Sequence, residues 1–319
     1  TYAAKIWQYN EDISIYKNFE KEGKLPLRVT VCIDELFEPE ILTKEKLSNP
    51  YRKVQLGAYK IFSDGSMGSR SAALKSPYSD DPENSGFMLF TQEELNNKIL
   101  TGYEHGLQPA IHAIGDRALD MTLSAIEHTL KTTKEKGMTD EEQKNRLPFR
   151  IIHVQMIDDD LLERMKKLPL VLDIQPIFLC TDLHWIEDRI GKERLKGSFA
   201  LKTMEKAGLI QTGGSDCPVE TYEPLKGIYA AVTRQDMEGY PAEGFLPEER
   251  LSVYEALCMY TKNVHYATGQ ESVLGTLEIG KFADLTVLEK NLFKIDKKEI
   301  KDVKVEQTYV AGNCVFMIK

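Results

Sequence analysis

Five cysteines, Cys32, Cys180, Cys217, Cys258 and Cys314, are scattered through the 319 residues, and no two of them form a Cys-x-x-Cys. An odd, widely spaced set argues against both a disulfide framework and a cysteine zinc site, and it points to a reducing, cytoplasmic compartment. Cys217 is expected to pack in the interior as a small apolar residue. No apolar run approaches a membrane span, and the opening TYAAKIWQYNED has neither the basic nor the apolar region of a signal peptide. The first residue, Thr1, suggests a processed product or an expressed fragment. There is no basic block: the net charge of −9 is spread along the chain, which argues against nucleic acid or an anionic membrane as principal partner. The glycines fit neither a P-loop nor a dinucleotide fingerprint. A small-molecule substrate is the partner these exclusions leave.

With 42% hydrophobic residues the chain is long enough for a sizeable core. Segments 27–33, 54–62, 107–114, 149–156, 170–179 and 209–214 read as buried strands bounded by turn residues, with helical patterns between most of them. That alternation predicts βα units on a parallel sheet. Leu119, Leu123, Ile126 and Leu130 fall on one face of a helix that opens at Asp116, which can cap it. A second helix, 252–269, ends on a glycine suited to a helix C-terminus. Beyond it, 275–288 and 305–318 read as strands and hairpins of a small β module, so the division expected is 1–270 and 271–319. No internal repeat or low-complexity linker occurs.

Four of the predicted strands end in side chains with chemistry: AYKIFSDG with Lys60, PAIHAIGD with His112, RIIHVQ with His153 and TGGSDCPVE with Asp216. Nitrogen and oxygen donors converging from several strands suit an open-sided cation that lowers the pKa of bound water. Taken singly, a strand lysine more often snorkels or pairs with an acid, a strand histidine more often serves the core, and an Asp near Pro218 more often makes a turn. Asp116 and Gln155 lie beside the histidines as candidate partners that orient them. Asp216 is the candidate proton carrier. Arg70 either clamps a substrate carboxylate or carbonyl or forms an ion pair inside its own loop. Asp182 and His184, just after the fifth of these strands, sit on a loop able to contact substrate. His105 is expected at a helix end, His128 off the apolar face of its helix and solvated, and His265 is read as structural.

These ordered motifs, with SDGSMGSRSAAL after Lys60, resemble the amidohydrolase superfamily and within it the amidohydrolase 3 branch of amide and imide hydrolases, some of whose members are called exoenzyme regulatory proteins. The resemblance runs from about residue 25 to the terminal hairpin. It implies an α/β fold, an incomplete (β/α)8 TIM-type barrel whose six strands correspond to the third through the eighth, with the C-terminal part of a small β-sandwich. The first two strands and half of the β module would come from an N-terminal region of about a hundred or more residues, the scale of part of a domain. The resemblance also implies metal ligation by Lys60 (often carboxylated), His112, His153 and Asp216, with the histidines holding the more buried of one or two divalent ions, most simply zinc. Two departures stand out. Relatives carry a His-x-His pair on the first strand, which occurs nowhere here, and commonly Glu before the second histidine, where this chain has Ile152.

The function implied is hydrolysis of a non-peptide C–N bond (amide, cyclic imide or N-acyl) by metal-activated water. Its rivals are an inactive or regulatory protein with a degenerate site, and an esterase or phosphotriesterase. Without the His-x-His pair, at most one weakly held metal is expected, and little activity from this chain alone. Six strands also leave open edges and deprive the expected interior residues Val29, Val31 and Ile33 of cover. Aggregation, edge pairing into a homodimer or dependence on a separate piece is expected to follow.

Overall fold

The computed structural model describes residues 9–34 and 52–318. Helix α1 (Tyr9–Lys21) leads into strand β1 (Val29–Asp34), followed by β2 (Val54–Phe62), α2 (Gln92–Glu104), β3 (Pro109–Ala113), α3 (Asp116–Glu135), β4 (Phe149–His153), α4 (Asp159–Met165), β5 (Leu170–Ile174), α5 (Leu201–Lys206) and β6 (Ile210–Gly213). The six strands are all parallel and pair in sequence order, β1 to β6, as a curled half-barrel. Among the described residues β1 and β6 each pair on one side only. After β6 come α6 (Pro224–Thr233), α7 (Val253–Tyr260), α8 (Lys262–Ala267) and a three-stranded antiparallel sheet of β7 (Leu285–Leu288), β8 (Val305–Val310) and β9 (Asn313–Met317).

Strand alternation divides the sheet into two faces. The outer face holds Val29, Val31, Ile33, Tyr59, Ile61, Ile111, Phe149, Ile151, Leu170 and Leu172, which share one core with the helices. The inner face holds a separate small cluster, Cys32, Ala58 and Ala110, with Ile152 against it. Val29, Val31 and Ile33 are therefore not barrel-interior residues: they lie under the helical layer and are fully covered. The expectation failed because a period of two shows that alternate residues share a face without showing which face points inward.

Several boundaries differ from the pattern-based ones for local reasons. The fifth strand stops at Ile174, not 179, because Pro176 opens a 3₁₀ turn, Pro176–Phe178. Helix α3 begins at Asp116, but its N-cap is Gly115, without a side-chain cap; Asp116 is the first helical residue and accepts from the Lys75 and Arg117 amides. The helix predicted over 252–269 breaks at Thr261 into α7 and α8, with Gly269 following at φ +69°. Residues 275–284 form turns rather than a strand. The small sheet is tied to the half-barrel, since Arg28 donates to both oxygens of Asp284 at 2.7 and 3.2 Å, and Leu292, Ile300 and Val303 join the main core.

The Tyr260 ring packs between β6 and α6. An added Cβ would come within 2.4 Å of the ring at Gly213 and 1.9 Å of the hydroxyl at Gly227, so both positions require glycine. That hydroxyl is buried and has no partner among the described residues. Tyr260→Phe should therefore be neutral or stabilising by up to about 1 kcal/mol. Gly227→Ala should destabilise by about 1–3 kcal/mol through overpacking, and the double variant should recover part of that loss. Urea unfolding midpoints of the three variants test this.

Candidate active site

Register sets the inner face in layers. Asp34, Lys60, Ala110 and Arg150 lie side by side across β1 to β4. One layer nearer the C-terminal ends, Phe62, His112, Ile152, Asp173 and Thr212 cross β2 to β6. The layers are stitched together by Arg150, whose Nε donates to Asp173 Oδ2 at 2.7 Å, while Thr212 Oγ1 donates to Asp173 Oδ1 at 2.7 Å. These bonds offset part of the cost of burying the pair, and they hold β4, β5 and β6 in step.

His153 sits in register with Ala113, on the outward side by alternation. Its backbone, with φ +78° followed by Val154 at +48°, leaves the extended region and brings the ring to His112, with centroids 4.5 Å apart and planes at 73°. Left-handed backbone at a β-branched residue is strained, and strain of this kind collects at functional sites. Asp216, just past β6, is likewise left-handed, at φ +51°. Lys60, His112, His153 and Asp216 thus gather at one mouth of the half-barrel, close enough for Lys60 and His112 to act on the charge equilibria of His153 and Asp216. Among the described residues no three His, Cys, Asp or Glu side chains converge tightly enough to hold a cation.

Burial dominates the electrostatics. It pushes the Lys60 amine down to about 8, against the pull of Cys32, Asp216 and Asp173 and with the push of Arg150. Burial, then His112 and Lys60, hold His153 well below the usual imidazole value, opposed by a hydrogen bond to Gln175. The Asp216 carboxyl is raised by burial, although Lys60 and His112 counter it. Near pH 7 the His153 imidazole is therefore neutral, the metal-binding form, while the Lys60 amine, at about 8, is still mostly protonated but far easier to deprotonate than an ordinary lysine.

The remaining sequence candidates have other partners. Arg70 Nε and Nη2 donate to Asp80 at 3.0 and 2.9 Å, so its guanidinium is held inside its own loop, where Arg189 also meets Asp80. Gln155 donates to Asp182 at 3.1 Å, and the hydrogen bonds of Asp116 go to the Lys75 and Arg117 amides. The acid against His112 is one that sequence reasoning missed, Asp64, 3.2 Å from Nε2. Its signal lay in SDGSMGSRSAAL, an acid just past the Lys60 strand. Arg150 and Asp173 were missed as well. Their signal was a charge of each sign within otherwise apolar strands. Cys217 is exposed rather than interior, because it lies on the turn after Asp216 and not on a strand. His105 ends α2, with Nδ1 2.8 Å from Thr101 O, and His128 is exposed on α3.

His184 pairs with Asp236 at 3.0 Å and stacks on Tyr240. It lines a cleft of about 340 Å³ together with Ile177, Cys180, Glu220, Asp236 and Met237. This cleft excludes the Lys60–His112–His153–Asp216 group, but it adjoins it through the 3₁₀ turn, where Phe178 packs 5.8 Å from the His153 ring and its neighbour Ile177 faces the cleft. Asp182, in the same loop, has its carboxyl raised to about 7 by burial.

Compared with known proteins, residues 1–316 match the model of the amidohydrolase family. Over 97% of its length the chain is 37% identical to the putative amidohydrolase YtcJ of Bacillus subtilis and covers 58% of that protein. Over 93% of its length it is 27% identical to N-substituted formamide deformylase of Arthrobacter pascens, of which it covers 54%. It is also similar to the solved structure of an uncharacterized metal-dependent hydrolase from Pyrococcus horikoshii. There the identity is 32% and the TM-score 0.75, over 89% of this chain and 55% of that one. The fold is that of the amidohydrolase barrel, and the chain belongs to the amidohydrolase family. It spans about half the length of the curated relatives it matches.

The Asp182 shift has a measurable sign. Well below its ordinary value of 3.8 this carboxyl is protonated in both states. Between its ordinary value of 3.8 and about 7 the unfolded chain ionises while the folded chain keeps its proton, so stability falls as pH rises through that window. Asp182→Asn should remove this slope: its melting temperature relative to wild type should climb from pH 4 to pH 7 and then level off.

Proposed function

We propose that the protein acts as a metal-dependent hydrolase of a non-peptide carbon–nitrogen bond, in an amide, cyclic imide or N-acyl compound. The observation that carries this reading is the His112–His153 pair, drawn together by left-handed backbone beside Lys60 and Asp216. The pair fits a divalent cation, because His153 Nδ1 is buried without a partner among the described residues and its ring stays neutral. The nitrogen and oxygen donor set suits zinc. Lys60, carboxylated, and Asp216 would complete its ligands. When bound, such a cation polarises a carbonyl and lowers the pKa of water.

The chain's own residues supply the rest. Asp216, with its carboxyl raised by burial, accepts the proton of the attacking water and returns it to the leaving nitrogen. Asp182 and His184 form the wall on the substrate side. With Arg70 held by Asp80, an uncharged carbonyl is the better fit for the mouth than a substrate carboxylate. The formamide deformylase named among the relatives acts on this class of bond, which supports the reading. A second reading, a regulatory protein with a degenerate site, draws on the absence of a three-ligand cluster among the described residues.

Two measurements separate these readings. Calorimetric titration with Zn²⁺ should show no more than one weak site per chain, lost in His112→Asn and in His153→Asn; two tight sites would contradict the proposed ligand set. In the protein that turns over an N-formyl or cyclic imide substrate, Asp216→Asn should lower kcat by about 10²-fold or more with the fold retained. Unchanged turnover would remove Asp216 from the mechanism.

A further inference from the structure

Asp64 is completely enclosed, with no side-chain surface exposed, yet among the described residues it pairs with neither lysine nor arginine. Its carboxylate accepts from three backbone amides and lies against His112. Oδ2 accepts from the amides of Ala73 and Gly115, each at 2.9 Å. Oδ1 accepts from the amide of Ile114 at 3.1 Å and lies 3.2 Å from His112 Nε2. That nitrogen is also 3.0 Å from the carbonyl oxygen of Gly65. A carbonyl oxygen only accepts, and both oxygens of Asp64 already take amide protons and so accept as well. His112 Nε2 therefore carries the ring proton. On a neutral imidazole the other nitrogen, Nδ1, is then the one with a free lone pair.

We propose that Asp64 is a positioning residue for His112: it fixes the orientation of the ring and its Nε2-protonated tautomer, and so leaves Nδ1 to ligate a divalent cation. The proposal rests on the metal reading of the site given above. It adds that the loop after β2 is part of the machinery, since the group orienting the histidine also anchors Ala73 of that loop and the turn from β3 into α3. Removal of such an orienting partner weakens metal binding by about 10–100-fold.

The test uses the full chain labelled with ¹⁵N-histidine, with His112 assigned by the loss of its signals in His112→Gln. Long-range ¹H–¹⁵N correlation of the metal-free wild type should show a protonated Nε2 and a lone-pair Nδ1 at His112. In Asp64→Asn, a mixture of tautomers should appear, and the Kd for Zn²⁺ from calorimetry should rise about 10–100-fold. A wild-type His112 protonated on Nδ1 overturns the proposal. So does a folded Asp64→Asn with unchanged tautomer and unchanged Kd. Should Asp64→Asn fail to fold, the wild-type Nε2 proton decides: shifted downfield and slow to exchange, it supports a charge-assisted bond to Asp64, and fast exchange overturns it. A wild type that takes up no Zn²⁺, but whose tautomer depends on Asp64, supports the positioning role and counts against the metal reading alone.

Discussion

The parallel register of the six strands is the constraint from which the site follows. Once Lys60, Ala110 and Arg150 share a layer, and His112, Ile152, Asp173 and Thr212 the next, the polar groups of five strands are committed to one concave face. A slip of one residue in any strand would exchange its polar and apolar faces, placing charges under the helices. The Arg150–Asp173–Thr212 network resists such a slip, because its bonds form only in this alignment.

The same layering explains the chemistry at the mouth. A small residue, Ala110, lies between the long side chains of Lys60 and Arg150, so two cationic groups occupy one layer with room between them. Their mutual repulsion adds to the burial that lowers the amine. Above them, the buried imidazole of His153 is held neutral by its surroundings. Amines and imidazoles are ordinarily protonated or exchanging near neutral pH, and here the fold shifts both towards their neutral, electron-donating forms.

Much of this was legible in the residues. Strand–helix alternation located all six strands of the half-barrel, and the four motifs led to Lys60, His112, His153 and Asp216, which the fold does bring together. What was not legible depends on the third dimension. Periodicity could not say which side of β1 faced inward, so Val29, Val31 and Ile33 were put on the wrong face. It could not show that His153 leaves the strand's alternation, because a left-handed φ at His and Val has no local signature. Asp64 went unassigned because its partners, Ala73 and residues 112 to 115, lie in stretches far apart in the sequence. Cys217 looked like a core residue from its type alone, and a turn placed it outside. The end of β5, by contrast, was readable from Pro176 and was overrun by the apolar residues that follow it.

The bonds of Asp64 also bear on how this region breathes. Three amides from two distant stretches, Ala73, Ile114 and Gly115, converge on one carboxylate, and the Arg117 and Ala118 amides at the start of α3 turn back to the Ala73 carbonyl. No member can detach while the others stay bonded without leaving a buried polar group unsatisfied. Fraying of the loop one residue at a time is thereby suppressed, and its hydrogen-exchange protection becomes a property of the whole unit. The mouth of the half-barrel is then either assembled or open, with few states between.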